Sequence, residues 1–348
     1  MVEYLPVATQ TLWADLNERA WTGNLEALTA GSGGSAYARE VKGRRYWYWR
    51  APTEHGERPA PRYIGPESEQ VLARIDRLKD EVESRRDRRD MVRALRAARL
   101  PVPDPRTGDV LAALAEAGAF RLRATLIGSV AFQCYAGLLG VRLPASLSRT
   151  GDVNIAQFHS IALAVEDSIE ENLESLLKRV DRRFRAVLDP FESGRTLRYV
   201  LEVSGQETYS LDILSPLRGP ERGRLTRLRA LRSDAHLMRF LDYLLYQEQN
   251  AVVLHGAGVP VNVPAPERYA LHKLIVAQLR QASAGSQAKA GKDLEQAQAL
   301  IAILAETRPD DLRDAWSELR ARGPSWRQKA DRSLRRLSPD LQVALTGP

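Results

Sequence analysis

Three short segments carry side chains that could act together on a phosphorylated substrate. In Arg149-Thr150-Gly151-Asp152-Val153-Asn154-Ile155 the apolar Val153 and Ile155 alternate with Asp152 and Asn154. On a strand this alternation puts the two polar side chains on one face and the two apolar ones on the other. Oxygen donors side by side suit a hard divalent cation, Mg²⁺ or Mn²⁺. In Tyr209-Ser210-Leu211-Asp212-Ile213-Leu214 a single carboxylate stands between apolar neighbours. An acid in mid-strand is disfavoured unless something offsets its desolvation, which marks Asp212 as a functional candidate. In Leu126-Ile127-Gly128-Ser129 a buried strand delivers Gly then Ser to the start of a helix. There the unsatisfied backbone N–H groups and the helix dipole favour a phosphate. Gly128 lets the backbone approach a ligand closely, and the Ser129 hydroxyl adds a hydrogen bond.

These segments must be positioned by an alternation of helices and strands. Periodicity predicts a helix over Gly108–Ala117, a strand over Phe120–Ile127, a helix over Ser129–Leu139, a strand over Asp152–Ala156 and a helix over Asn172–Phe184. Strands follow over Thr196–Val203 and Thr208–Leu214. Residues 101–220 thus read as an α+β catalytic domain. Residues 1–100 form a preceding region: a helix around Thr11–Leu28, the Gly31–Ser35 turn tract, and a hairpin of Tyr37–Val41 with Arg45–Arg50 around Lys42-Gly43-Arg44. Tyr63-Ile64-Gly65-Pro66 ends that sheet, and a long helix starts at Glu67, with 14 of the 20 residues from Arg74 to Arg93 charged. Such a helix reads as an exposed arm or a pairing helix. Pro101-Val102-Pro103-Asp104-Pro105 marks the boundary. Residues 221–348 read as a basic, mainly helical domain with a short β element around Val252–Val263 and helices at about 267–283, 291–306, 309–322 and 324–336.

Composition excludes several classes. The chain has 348 residues, 44% of them apolar, enough for a large core. Its apolar runs, such as Ile161–Val165 and Ala299–Ala305, are far shorter than the ~20 residues of a membrane helix, and Met1–Gln10 lacks a signal-peptide pattern. A soluble, cytoplasmic protein is expected. The single cysteine, Cys134, excludes an intramolecular disulfide framework and a Cys-cluster zinc site, and five scattered histidines do not form a metal motif. The formal net charge is +7, with the excess at the two ends: +3 over residues 1–100, −2 over 101–220 and +6 over 221–348. An acidic centre between basic flanks fits an enzyme that holds a metal and takes a polyanion.

Taken together, Gly128-Ser129, Asp152-x-Asn154 and the later strand acid Asp212 resemble the DNA polymerase β-like nucleotidyltransferase superfamily over residues 105–215. The resemblance implies that Asp152, Asn154 and Asp212 hold Mg²⁺ or Mn²⁺ and that Gly128, Ser129 and Thr150 hold the phosphates of an NTP such as ATP. An acceptor group then attacks the α-phosphate in line. Asp152 looks like the bridging ligand, and Asp212 like the ligand beside the attacking group. The segment from Val263 to Leu274, followed by Lys289, Lys292 and Asp293, is similar to the Lys-then-Lys-Asp pattern of bacterial abortive-infection and toxin-type members. By that similarity Lys273 contacts nucleotide phosphates and Asp293 orients or activates a group near them. One position departs from the family: Asn154 stands where the second Asp of Asp-x-Asp is expected and offers a neutral carbonyl oxygen. This reads either as a naturally impaired enzyme or as an introduced, inactivating Asp-to-Asn replacement, the second being favoured because Asn is the nearest isostere and the surrounding motif is intact.

Beyond these motifs, Arg218, Arg222, Arg224, Arg227, Arg229 and Arg232 form a run that tracks a nucleic-acid backbone or simply solvates a face. The aromatics Tyr46, Trp47, Tyr48 and Trp49 with Arg44, Arg45 and Arg50 could stack bases, although packing against neighbours is the favoured role. Cys134 is expected in the core, and the histidines in structural or surface positions. The expected function is metal-dependent transfer of an NMP from an NTP to an RNA 3′ end, that of a tRNA foremost, in a toxin–antitoxin context. The alternatives are a protein hydroxyl as acceptor, as in AMPylating enzymes, and a catalytically silent nucleotide- or partner-binding module.

Overall fold

The computed structural model describes residues 2–30, 34–41, 43–50, 60–148, 152–159, 167–192, 194–203, 206–220, 223–281 and 286–347. It is α+β. A helix at Val7–Ala30 precedes a three-stranded antiparallel sheet of β1 (Ser35–Val41), β2 (Arg44–Arg50) and β3 (Arg62–Pro66). The long helix begins at Glu69, where the Ser68 side chain caps the Val71 N–H, and runs to Ala97. It is not a free arm: Ile75, Val92 and Leu95 are buried, and Arg88 Nη1 donates to the Arg19 carbonyl of the first helix at 2.8 Å. A helix at Pro105–Glu116 leads into the larger sheet, capped by Asp104, whose Oδ1 accepts from the Thr107 N–H.

Nine strands make that sheet: β4 (Thr125–Ile127), β5 (Asp152–Ala156), β6 (Phe184–Leu188), β7 (Thr196–Val203), β8 (Gln206–Pro216), β9 (Leu225–Leu228), β10 (Ser233–Met238), β11 (Glu248–Val253) and β12 (Val259–Pro264). The order is β11-β12-β4-β5-β8-β10-β9, with β7 on β8 and β6 on β7. The length of β8 lets it serve three partners. Ser210–Leu214 run parallel to β5 on one edge, while on the other edge the N-terminal part pairs with β7 and Leu214–Pro216 pair with β10.

Strands β9 and β10 lie in a region expected to be mainly helical, and three expected elements take other bounds or form. The strand predicted over Phe120–Ile127 is confined to Thr125–Ile127. Phe120 and Leu122 are buried from turns, and Arg123 takes a positive φ of 63°. A short apolar run signals burial and leaves the backbone form open. The helix predicted over Asn172–Phe184 is capped by Asn172 and spans only Leu173–Val180, since Asp181 is extended and Phe184 opens β6. The β element around Val252–Val263 is a full hairpin, β11–β12, that enters the sheet beside β4 through Asn262 and Thr125.

The sheet therefore crosses residue 220, where the charge balance of the sequence changes. Around β9, the last strand in the order, Arg224, Arg227 and Arg229 are exposed while Leu225, Leu228 and Ala230 are buried, so the basic texture there belongs to an exposed stretch of the sheet. Beyond Pro264 the chain is helical: Pro266–Gln281, Gln287–Thr307, Pro309–Ala321, Pro324–Leu334 and Pro339–Thr346. Four of these helices open on proline, whose fixed φ and missing N–H suit a first helical position. The helix Gly128–Leu138 packs on Pro266–Gln281 through Phe132, Tyr135 and Tyr269, with the Tyr135 and Tyr269 rings 5.1 Å apart edge to face. No helix among the described residues is long and apolar enough to cross a membrane.

Candidate active site

Period-two alternation in β5 turns Val153 and Ile155 into the core and leaves Asp152 and Asn154 half-buried on the other face. The parallel register with β8 then sets Asn154 opposite Asp212 and Asp152 opposite Ser210. Ser210 Oγ donates to Asp152 Oδ1 at 3.1 Å. On the other edge of β5, Asn154 is the register partner of Ile127, the residue before the Gly-Ser turn. Two of the three expected ligand positions are thus direct cross-strand neighbours, and the turn adjoins them.

Gly128 is required there by its backbone. Its φ is +74°, and a Cβ at this position would stand 3.1 Å from Asn154 Nδ2. The helix that follows has Ile127 at its N-cap, whose side chain makes no cap hydrogen bond and so leaves to a phosphate the first-turn N–H groups it would use. Ser129 is held from behind. Gln296 Nε2 lies 3.4 Å from Ser129 Oγ and donates to the Leu147 carbonyl at 2.7 Å, while Tyr269 Oη donates to the Gly128 carbonyl at 2.9 Å. Helices far along the sequence therefore fix the turn.

Cations approach both carboxylates. Lys289 Nζ is 3.6 Å from Asp152 Oδ2, and Arg198 Nε of β7 is 3.5 Å from Asp212 Oδ1. Lys292 lies nearby, its ammonium held below the usual lysine range by burial against the opposing pull of Asp293 and Asp152. His236, whose register partner on β8 is Leu214, two residues from Asp212, also has a lowered pKa. Burial is the main cause, opposed by Asp212 and Asp189.

Lys273 and Asp293 do meet, with each other. Lys273 Nζ donates to Asp293 Oδ1 at 2.6 Å above the Tyr269 ring, and Arg280 Nη1 lies 2.8 Å from Asp293 Oδ2. Burial lowers the Lys273 pKa, with Asp293 pulling the other way. Of the expected nucleic-acid arginines, Arg224 covers the Phe191 ring and Arg227 reaches Asp234 at 3.6 Å. Both lie on the β9 side of the sheet, beyond β8 and β10. Thr150 and Arg222 lie outside the described residues. Cys134 is buried, with its thiol pushed up to about 12, as a core residue would be.

Oxygen donors alone, two carboxylates and the Asn154 amide, fit one hard divalent cation. The described residues hold no group of three or more His, Cys, Asp or Glu side chains that could bind a metal, and this set offers two carboxylates and one neutral amide. Arg198, Ser210, Tyr269, Arg280 and Gln296 carry no local sequence signal, because each acts through a partner on another element.

A model of a nucleotidyltransferase family matches residues 105–321, more than half of the chain. The chain belongs to this nucleotidyltransferase family. The matched span runs from the helix before β4 to the third helix from the C-terminus, Pro309–Ala321, and so contains the strand acids, the Gly-Ser turn and the Lys273–Asp293 pair of the nucleotidyltransferase. Among solved structures, an antigenic nucleotidyltransferase-like protein from Paracoccidioides brasiliensis matches at 17% identity and a TM-score of 0.32. The match covers 66% of this chain and 94% of that one, and is too distant to carry a residue correspondence. Among curated proteins nothing matches.

Proposed function

We propose that this nucleotidyltransferase moves an NMP from an NTP to the 3′ end of an RNA, a tRNA foremost, and that Asn154 impairs the reaction. The observation that carries the reading is the cross-strand pairing of Asn154 with Asp212 beside the Gly128-Ser129 turn. Asp152, Asp212 and the Asn154 carbonyl would hold Mg²⁺ or Mn²⁺, which supplies charge neutralisation on the phosphates. Ser129 Oγ and the first-turn N–H groups bind the phosphate oxygens. Asp212 accepts the proton of the attacking hydroxyl as the new phosphodiester forms and pyrophosphate leaves. With a neutral amide at 154, the site holds metal and phosphate less firmly than a carboxylate would allow.

An RNA acceptor is supported by the basic ends of the chain. A protein hydroxyl is the other acceptor that the same phosphate chemistry allows, and a silent nucleotide-binding module is favoured by Asn154 itself. Incubating the Asn154→Asp protein with each labelled NTP, total RNA and total protein tests all three. Label in RNA supports the proposal, label in protein selects the AMPylating alternative, and label in neither selects the binding module.

A further inference from the structure

Outside the family-matched span, strand alternation in the N-terminal sheet sorts two kinds of aromatic residue onto opposite faces. Register places Tyr37 opposite Tyr48, Arg39 opposite Tyr46 and Tyr48 opposite Tyr63, so these side chains share one face. On the other face Ala36 and Ala38 stand opposite Trp49 and Trp47. That face is covered: Trp49 is buried, Trp47 Nε1 donates to Glu67 Oε2 at 3.0 Å, and a Cβ on Gly65 would come within 2.9 Å of Val71 on the long helix. The tyrosine face has no such cover among the described residues. Its rings lie close together, Tyr37 stacked on Tyr48 at 5.6 Å, Tyr63 edge-on to Tyr48 at 5.4 Å and Tyr46 at 6.4 Å from Tyr63. Tyr63 keeps 52% of its surface exposed.

Two cations stand over these rings. Arg39 lies 5.9 and 5.8 Å from the Tyr37 and Tyr48 centroids, and Arg50 lies 4.6 Å from Tyr37. The one acid in the three strands, Glu40, is paired with Arg45 in register and so lies on the opposite face. An open sheet face of adjacent aromatic rings and arginines with no carboxylate is suited to unpaired bases. The rings stack on bases, and the guanidinium groups meet the phosphates between them. A duplex, whose bases are already stacked, cannot use the rings.

We propose that the tyrosine face of the β1–β3 sheet is a docking platform for single-stranded RNA. This deepens the RNA-acceptor reading and rests on it only for the purpose of the bound strand: the platform would hold the acceptor while the distant strand acids act on its end. Tyr37, Tyr46, Tyr48 and Tyr63 supply the stacking surface, and Arg39 and Arg50 swing from the rings to the backbone as bases take their place.

The test titrates the full-length protein, without NTP or added metal, against labelled oligo(U), with oligo(dT), a duplex RNA and heparin as comparisons. Wild type is expected to bind oligo(U) most tightly. Tyr48→Ala and Tyr63→Ala should each weaken that binding by about tenfold, the scale of one lost base–aromatic stack. Tyr63→Phe should bind as wild type because the ring is kept, and Arg39→Gln should lower the salt slope by about one. Circular dichroism checks the variants' folding; if Tyr48→Ala disturbs the sheet, the exposed Tyr63 decides. Wild-type binding to Tyr63→Ala, equal affinity for duplex RNA or heparin, tighter oligo(dT) binding, or no oligo(U) binding at low salt each overturns the platform. Because no transfer is measured, loss of this proposal and loss of the transferase reading are told apart by running the labelled-NTP assay on the same preparation.

Discussion

Asp152 and Asp212 meet their cations at 3.6 and 3.5 Å with 44% and 23% of their side chains exposed. Asp293, by contrast, holds Lys273 at 2.6 Å and Arg280 at 2.8 Å with 2% exposed. Both sets flank the same Gly-Ser turn, but their electrostatics differ in kind. A long, solvated pair is weak and exchangeable, so a metal or phosphate can displace Lys289 or Arg198 at little expense. A short, buried pair resists exchange, since removing one partner strands a charge in a poorly solvated interior. The open set can therefore exchange its partners, as the proposed transfer would require. The closed set holds the C-terminal helices together behind the turn, where Tyr269 and Gln296 reach Gly128 and Ser129.

The comparison is broken or sharpened most strongly at Asn154. Asn154→Asp is expected to raise nucleotide transfer by about a hundredfold or more, because a restored carboxylate is worth several kcal/mol of charge stabilisation in the reacting state. Mn²⁺ affinity, followed by electron paramagnetic resonance, should rise with it. Unchanged transfer and affinity would remove the metal assignment from the open set.

Next in size is the closed set. Asp293→Ala should lower unfolding free energy by about 3–5 kcal/mol in urea titrations by stranding Lys273 and Arg280. Asp152→Ala should change it by about 1 kcal/mol or less. Equal losses would erase the distinction between the two sets.

A smaller effect follows from His272, which adjoins Lys273 and whose pKa burial lowers to about 3, with Lys273 adding to the shift. The unfolded chain, with an ordinary histidine value near 6.5, takes up the proton first as pH falls. Stability contributed by the neutral ring is present above pH ~6.5 and is lost between about 6.5 and about 3, with about 2 kcal/mol gone by pH 5. Thermal unfolding of wild type and His272→Gln across this range should show the variant with the flatter profile; parallel profiles would mean that the ring is not buried neutral. Least of all, Lys289→Gln should shift stability by less than about 1 kcal/mol, an effect that vanishes in high salt.

Much of the open set was legible locally. The β5 boundaries and the inward and outward alternation around Asp152 and Asn154 follow from period-two signals, and the helix expected from Ser129 starts one residue earlier, at Gly128. Lys273 and Asp293 were legible as a spacing, yet their mutual burial was not, since helical periodicity does not report which partner covers a face. Arg198 shows the same gap. It is an ordinary strand residue until the β7–β8 pairing brings it to Asp212. In the N-terminal hairpin the alternation of Tyr and Trp was visible, but which set faces solvent depended on where the long helix packs.

By itself the sequence determined most of the local elements around the candidate site and the side chains they carry: an acid-bearing strand pair, a glycine-led helix start, and an amide at 154. These are properties of neighbouring residues, fixed by backbone sterics and hydrophobic periodicity. Only the tertiary structure decided that Asn154 lies opposite Asp212, that Lys273 is closed on Asp293, and that tyrosines rather than tryptophans pave the open face of the small sheet. Those facts depend on strand register and helix packing between residues far apart in the chain, which are settled by the burial of the whole core rather than by any local signal.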